Sequence, residues 1–409
     1  MSKDFEIRSR SRSGISQLMD DLGKAMAGES RMRMLGGGNP AHIPAVQDAL
    51  RAEMQRILDS PGQFELMVGN YDTPMGNQAF REALCTFFQN EFGWQLTPKH
   101  IVICNGSQSA FFALFNLLGG AEQQILLPLV PEYIGYADQG LKKNLFVARR
   151  PKIQLEKNQQ FKYHVNFAQL EVDSKIGAIC TSRPTNPTAN VLTDQEIIGL
   201  DEVAQAYGIP FIIDNAYGTP FPNIIYTEAQ PFWNSNTILS MSLSKFGLPA
   251  VRTGILVGDP SIMEAISEMN GVMGLAPGGI GPFLAKDLVI SKAITQISSN
   301  IIQPFYKERM EAAIDAFYEF FGETTVRVHQ PEGAMFLWLW FPDMKIKSYE
   351  LYELLKKRGV LVVSGHYFFP GLDEDWPHKN QCIRITYSQS LDDVREAMEI
   401  IAEVVAENS

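Results

Sequence analysis

Cysteine is scarce in this chain: among 409 residues there are four, Cys85, Cys104, Cys180 and Cys382. They are widely scattered, with no Cys-x-x-Cys pair and no metal-ligand spacing, so neither a disulfide framework nor a metal centre is expected. Reduced thiols in a cytoplasmic protein are the expectation. Positive charge is also short. Lys and Arg number 35 against 46 Asp and Glu, a formal net charge of -11 that argues against nucleic acid or an anionic membrane as the main partner. The string Arg8, Arg10, Arg12 is the local exception and reads as a mobile or docking arm. The notable apolar run, Phe336 to Phe341, is far too short to span a bilayer, and no apolar segment follows the basic N-terminal residues, so neither membrane nor export is expected. A dinucleotide fingerprint is missing too. The run Leu35-Gly36-Gly37-Gly38-Asn39-Pro40 is too compact for G-x-G-x-x-G between a strand and a helix, although its backbone can approach a ligand closely or serve as a flexible connector.

What is present is the make-up of a folded protein, 45% hydrophobic and 20% charged. The length suggests two domains, or one large domain with a smaller one attached. After a polar Arg/Ser-rich start and a short helical pattern from Ile15 to Met26, strand and helix signals alternate. Helical spacing covers Pro44 to Ser60 and Asn77 to Phe92. The runs at 101–104, 124–130, 176–181 and 209–214 read as strands, with helices at 110–118 and 193–207 between them. That alternation predicts an α/β fold, a mostly parallel sheet covered by helices on both faces. After Gly254 it stops: long helical patterns run from 260 to 269, 282 to 298 and 304 to 322. Strands at 325–329, 334–341, 360–363 and 382–387, with helices near 349–358 and 391–406, then predict a smaller α+β unit. The division expected is 1–43 as an N-terminal arm joining the small domain, 44–300 as the large domain and 301–409 as the small one.

The chemistry gathers around Ser242-Leu243-Ser244-Lys245-Phe246-Gly247. An apolar strand, Thr237 to Met241, ends just before it, so Lys245 sits on a turn past a strand end, where partial desolvation lowers an amine's pKa and makes it nucleophilic toward an aldehyde. Ser242, Ser244 and Arg252 supply hydroxyl donors and a forked cation, a set that suits a phosphate monoester. An aldehyde and a phosphate on one small molecule describe pyridoxal 5'-phosphate; a solvated lysine in a surface turn would leave the same short string. Elsewhere Asn105-Gly106-Ser107-Gln108-Ser109 opens a helix whose N-terminus can face an anion or can be capped by Ser107 alone. Asp214 closes an apolar strand, where a buried parallel sheet meets its ligand. Tyr217 follows three residues on. Tyr133 could cover an aromatic ligand or pack in a core. Asn186 lies in an Asn-Pro turn, Tyr71 on an exposed loop. Arg384 alternates with Cys382 and Thr386 on one strand face, pointing either inward to an anion or out to solvent.

Taken together, these motifs resemble those of the fold-type I, class I pyridoxal-phosphate-dependent aminotransferases. The resemblance spans nearly the whole chain: Leu35 to Pro40, Asn105 to Ala110, Pro131 to Tyr136, Arg183 to Thr188, Asp214 to Tyr217, Ser242 to Lys245 and Cys382 to Ile385, in family order. It implies a sheet of the seven-stranded type in the large domain and a pyridoxal 5'-phosphate cofactor. Lys245 would attach to the cofactor aldehyde and then act as general acid and base between the substrate Cα and the cofactor's C4' carbon. Asp214 would keep the pyridine nitrogen protonated, Asn186 and Tyr217 would bond the phenolate oxygen, and Tyr133 would stack on the ring. Gly106, Ser107, Ser242 and Arg252 would hold the phosphate, with Ser244 a weaker candidate and Tyr71 reaching it across a homodimer interface; Gln108 would also bind the cofactor. Arg384, with the Gly38 backbone and Asn186, would clamp the substrate α-carboxylate. Two departures stand out. Ala189 occupies a position where many relatives have glycine, and Arg252 lies seven residues after Lys245 where many have eight. The implied activity is amino transfer between a small aliphatic amino acid and a 2-oxo acid, valine with pyruvate first. Another amino-acid specificity (alanine, branched-chain or aromatic), a lyase or synthase on the same scaffold, and a non-enzymatic cofactor-binding effector module are the alternatives.

Overall fold

The computed structural model describes residues 31–120 and 122–409, together with Asp20 and Gly23. The Arg8, Arg10, Arg12 string and all but two residues of the helix expected from Ile15 to Met26 lie outside the described residues. Strands are numbered along the chain: β1 Arg33–Met34, β2 Ile101–Cys104, β3 Gln124–Leu127, β4 Phe146–Ala148, β5 Lys152–Leu155, β6 Gln160–His164, β7 Ile176–Ser182, β8 Phe211–Asp214, β9 Thr237–Ser242, β10 Gly254–Val257, β11 Arg327–His329, β12 Phe336–Trp340, β13 Val360–Leu361, β14 Val363–Ser364 and β15 Cys382–Thr386.

Seven of them form the main sheet, in the order β2-β10-β9-β8-β7-β3-β4. All neighbours are parallel except β10, which runs antiparallel to both β2 and β9. β2, β7, β8, β9 and β10 are buried along their whole length, which explains why the first four read as mostly apolar runs rather than alternating ones; β10, which starts at Gly254, is a strand that the sequence reading did not place. Their register sets the site. Ser182 at the end of β7 pairs with Asp214 at the end of β8, and Asp214 pairs with Ser240 near the end of β9. The carboxyl ends of three adjacent strands thus stand level, the edge at which parallel sheets meet ligands.

A six-stranded sheet, β14-β15-β12-β11-β6-β5, supports the second unit. Its β5–β6 hairpin comes from the stretch between β4 and β7 of the first sheet, and β6 runs parallel to β11. Residues 152–164 therefore leave the run 44–300 expected as one domain and pair with strands of the C-terminal part. β1 pairs in parallel with β13, and Arg33 Nε donates to Glu396 Oε2 at 2.8 Å. The segment that follows β1 runs alongside β15, with Thr386 N donating to Leu35 O at 2.8 Å.

The helix expected from 282 to 298 is divided. Ile280–Ile290 ends before Lys292, which has a left-handed φ of 60°, and Ala293–Ile297 continues through a wider π-type turn, Ser298–Ile302, into Gln303–Phe321. Pro304 at the start of that last helix has no amide hydrogen to give, which is where the regular ladder is interrupted. Among the described residues no helix is long and apolar enough to cross a membrane.

Candidate active site

Lys245 follows the end of β9 by three residues. The turn that carries it is closed by Ser244 N donating to Ser242 Oγ at 3.0 Å and Leu248 N donating to Leu243 O at 3.1 Å. The residue is half-buried, and its amine donates to Gly38 O at 2.5 Å and stands 5.4 Å from the centre of the Tyr217 ring. Burial, then the Arg384 and Arg252 cations, push its pKa down to about 8, against the pull of Asp214.

Asp214 is buried at the end of β8. Tyr136 OH donates to its Oδ2 at 2.7 Å and Ala216 N to its Oδ1 at 3.1 Å. Burial raises the carboxyl to about 6 in spite of those two donors and of Lys245.

A second group of residues forms an anion cradle. Gly106 has φ +84°, open only to glycine at low cost, and a Cβ there would come within 2.1 Å of the Arg252 guanidinium. A Cβ on Gly254 would lie 2.7 Å from Ser107 N, so the start of β10 also presses on the N-terminus of the helix Ser107–Gly119. The free N–H groups of that helix end, its dipole and a guanidinium therefore converge. Arg252 itself is left-handed, φ 49°, with Nη1 donating to Pro249 O at 3.0 Å and reaching Ser244 Oγ at 3.4 Å. Ser107 Oγ donates to Met241 O at 3.4 Å. Gln108 Nε2 donates to Gly135 O at 3.4 Å, joining this helix to the loop that carries Tyr133.

Arg384 points inward from β15 and is buried. Nη1 donates to Asn186 Oδ1 at 2.8 Å and Nη2 to Gly36 O at 2.7 Å, while Nε has no hydrogen-bond partner among the described residues. The guanidinium lies 4.3 Å from the centre of the Phe336 ring and 5.3 Å from that of Phe368. Burial between these faces lowers its pKa to about 10. The turn bearing Asn186 is closed by Ala189 N on Thr185 O at 2.9 Å, with Ala189 at φ 62°.

The model of the family "Aminotransferase class I and II" matches residues 35–401. The chain is a class I and II aminotransferase. It is 46% identical over 398 residues to the valine–pyruvate aminotransferase of Escherichia coli (strain K12), covering 96% of this chain and 95% of that protein. Its fold superposes with a TM-score of 0.97 on the crystal structure of a putative amino-acid aminotransferase from Psychrobacter arcticum 273-4, at 45% identity over 100% of this chain and 98% of the other. The valine-pyruvate aminotransferase of Salmonella typhimurium LT2 superposes with a TM-score of 0.89, at 46% identity over 96% and 98% of the two chains.

The family's cofactor is pyridoxal phosphate, and the residues of this aminotransferase suit it. The cradle that a Cβ on Gly106 would fill matches a phosphate, the desolvated amine matches an aldehyde, and the buried carboxylate matches a protonated ring nitrogen. Lys245, Gly38, Tyr217, Asn186, Arg384 and Asp214 form one neighbourhood; Gly106, Ser107, Ser242, Ser244 and Arg252 form the other. The shorter Lys245 to Arg252 spacing does not carry the arginine away from the cradle, because its left-handed backbone turns the guanidinium onto Gly106. The ring of Tyr133 packs on Gly135 and edge-on to Tyr136, 5.5 Å between centres. Tyr71 is 84% exposed and, among the described residues, has no hydrogen bond. Sequence reasoning gave no role to Tyr136, because the only signal was a second tyrosine in Pro131-Glu132-Tyr133-Ile134-Gly135-Tyr136 and its partner lies 78 residues away.

Proposed function

We propose that this aminotransferase moves the amino group of valine to pyruvate, giving 3-methyl-2-oxobutanoate and alanine, in two alternating half-reactions. The observation that carries this reading is the placing of one desolvated amine, Lys245, among a buried guanidinium, Arg384, and a buried carboxylate, Asp214. The 46% identity to the valine–pyruvate aminotransferase of Escherichia coli supports the substrate pair, as do the Phe336 and Phe368 rings that make the approach to Arg384 apolar. When bound, pyridoxal phosphate supplies an aldehyde to take up the amino group and a ring that accepts the electron pair of the Cα–H bond.

The chain's own residues do the rest. Arg384 grips the α-carboxylate with its fork and so orients the Cα–H bond, helped by Asn186 and the Gly38 backbone. Lys245, with its pKa lowered to about 8, would serve as the general base for the Cα proton and as the general acid that returns it. Asp214, held by Tyr136, would face the cofactor's ring nitrogen and favour its protonated form. Tyr217 and Asn186 would hydrogen-bond the cofactor's phenolate oxygen, and Tyr133 would cover its ring. Gly106, Ser107, Ser242 and Arg252 would hold the phosphate, with Ser244 beside them and Gln108 against the cofactor.

The reading includes a homodimer in the cytoplasm, with Tyr71 of the partner subunit completing the phosphate site. The exposed Tyr71, beside further uncovered apolar side chains, supports the dimer, and four buried free cysteines support a reducing compartment. Valine added to the loaded enzyme without an acceptor is expected to shift the cofactor's visible absorbance, and pyruvate to restore it. Turnover should vanish in Lys245→Ala. A panel of amino acids scored against pyruvate decides the donor, and a donor preferred over valine would overturn the specificity.

A further inference from the structure

The loop from Pro131 to Tyr136 contributes Tyr133 and Tyr136 to the site, and it also buries a carboxyl group that the reaction above does not use. Glu132 is 0% exposed. Its Oε1 accepts from Ser182 N at 2.8 Å and from Thr181 Oγ1 at 3.1 Å, and its Oε2 meets Ser182 Oγ in a short hydrogen bond. Its backbone N–H donates to Phe368 O at 2.8 Å. None of these partners is a cation, and burial pushes the carboxyl up to about 8, with Asp214 adding to the effect. Both carboxyl oxygens are satisfied within the fold: Oε1 accepts twice and Oε2 accepts from Ser182 Oγ, and no charge partner stands among them.

Those partners lie beside groups that serve the reaction. Ser182 ends β7 opposite Asp214 in the sheet, and Arg183 N donates to Asp214 O at 2.9 Å. Tyr136, four residues after Glu132, donates to the Asp214 carboxylate. Phe368 flanks the Arg384 guanidinium. Glu132 thus closes a ring that runs from the loop to β7, across to Asp214 on β8 and back through Tyr136. We propose that Glu132 is a positioning residue whose carboxyl group fastens the 131–136 loop to the end of β7, thereby fixing where Tyr136 meets Asp214 and where Phe368 lies against Arg384. The proposal rests on the reading that Asp214 faces the cofactor ring.

The test is a double-mutant cycle on pyridoxal phosphate affinity, measured by fluorescence quenching as the apoprotein is titrated with the cofactor, with the visible circular dichroism of the loaded enzyme as second readout. Glu132→Ala is expected to weaken binding about tenfold or more, equivalent to about 1.4 kcal/mol. Glu132→Gln keeps an oxygen to accept from Ser182 N and Thr181 Oγ1, and its amide can donate to the Ser182 hydroxyl once that rotor turns; it is expected to stay within about threefold and keep the dichroic band. In a Tyr136→Phe background the Glu132→Ala loss should shrink to under about threefold, because residues acting through one another do not add. Should Glu132→Ala not fold, Ser182→Ala takes its place in the cycle. Losses that add independently of Tyr136, a Gln variant as damaged as the Ala variant, or an Ala variant as tight as wild type would each overturn the proposal. Failure of the functional reading is separate: wild-type protein would then not take up the cofactor at all.

Discussion

At the scale of single residues, the site works by withholding water from charged groups that lie close together. Lys245 keeps a pKa near 8 because burial and two arginines oppose its charge. The attachment of an aldehyde to the apoenzyme should therefore rise through about pH 8, where a free lysine would need a pH above 10. Replacing Arg384 by Gln removes one of the opposing cations, so the ammonium form is favoured and the midpoint moves up; the rate of adduct formation followed against pH checks both. Asp214→Asn keeps the shape but cannot hold the ring proton by charge, and kcat should fall by roughly 10²–10³ while the protein still folds, as circular dichroism would show. Ala189 is buried at φ 62°, a conformation that costs a side chain about 1–2 kcal/mol. Ala189→Gly relieves that cost against an added unfolded-chain entropy of about 0.4–1 kcal/mol, so the urea midpoint should move slightly upward. The sequence showed this departure from glycine; the backbone angle shows why glycine suits the position.

At the scale of elements, the hairpin β5–β6 is the feature that the sequence concealed. β5 is mostly exposed at an edge and reads Lys152-Ile153-Gln154-Leu155, and both strands find their sheet only by pairing β6 with β11 across more than 160 residues. No local pattern encodes such a pairing. Its anchor is the pair of Lys162 on β6 with Glu332, whose Oε2 also accepts from Val191 N at 3.0 Å, while Lys162 Nζ donates to Val191 O at 3.1 Å. These contacts hold the end of the 184–191 turn, and with it Asn186, against the six-stranded sheet. Glu332→Ala leaves a buried ammonium without its carboxylate and should cost about 3–5 kcal/mol in urea unfolding, whereas the double change Lys162→Met with Glu332→Leu should cost much less. The central strands β7, β8 and β9 were legible for the opposite reason: each is a mostly apolar run that ends on a polar residue and is bounded by turn residues.

At the scale of the whole molecule, one face remains to be covered. Phe64, Leu66, Val68 and Tyr71 are exposed on or after the helix Gln63–Gly69, and Val272, 90% exposed, and Leu275 lie on a neighbouring segment. The two segments touch through Gly279 against Met67 and Gly271 against Pro74, and Gly278 N donates to Asn105 Oδ1 beside the cradle. Apolar side chains gathered so close to an anion site are what a second copy of the chain would cover. If the proposed homodimer uses this face, Val272→Asp with Leu275→Asp should give a monomer in sedimentation experiments and weaken cofactor binding with it, through loss of the proposed Tyr71 contact across the interface. A variant that sediments as a monomer yet binds the cofactor as tightly as wild type would remove that tyrosine from the site.

Composition, period and turn chemistry along the chain determined the class of fold, the lysine just past a strand end, the aspartate closing a buried strand and the glycine before a helix, because each depends on near neighbours in sequence. Tertiary structure alone decided which of these residues meet. Lys245 finds Gly38 across 207 positions and Arg384 finds Asn186 across 198. Whether Arg384 faced inward, whether Arg252 reached the cradle, and which loop residues held Asp214 all followed from strand register and backbone angle, and these are set only when distant segments pack together and exclude water.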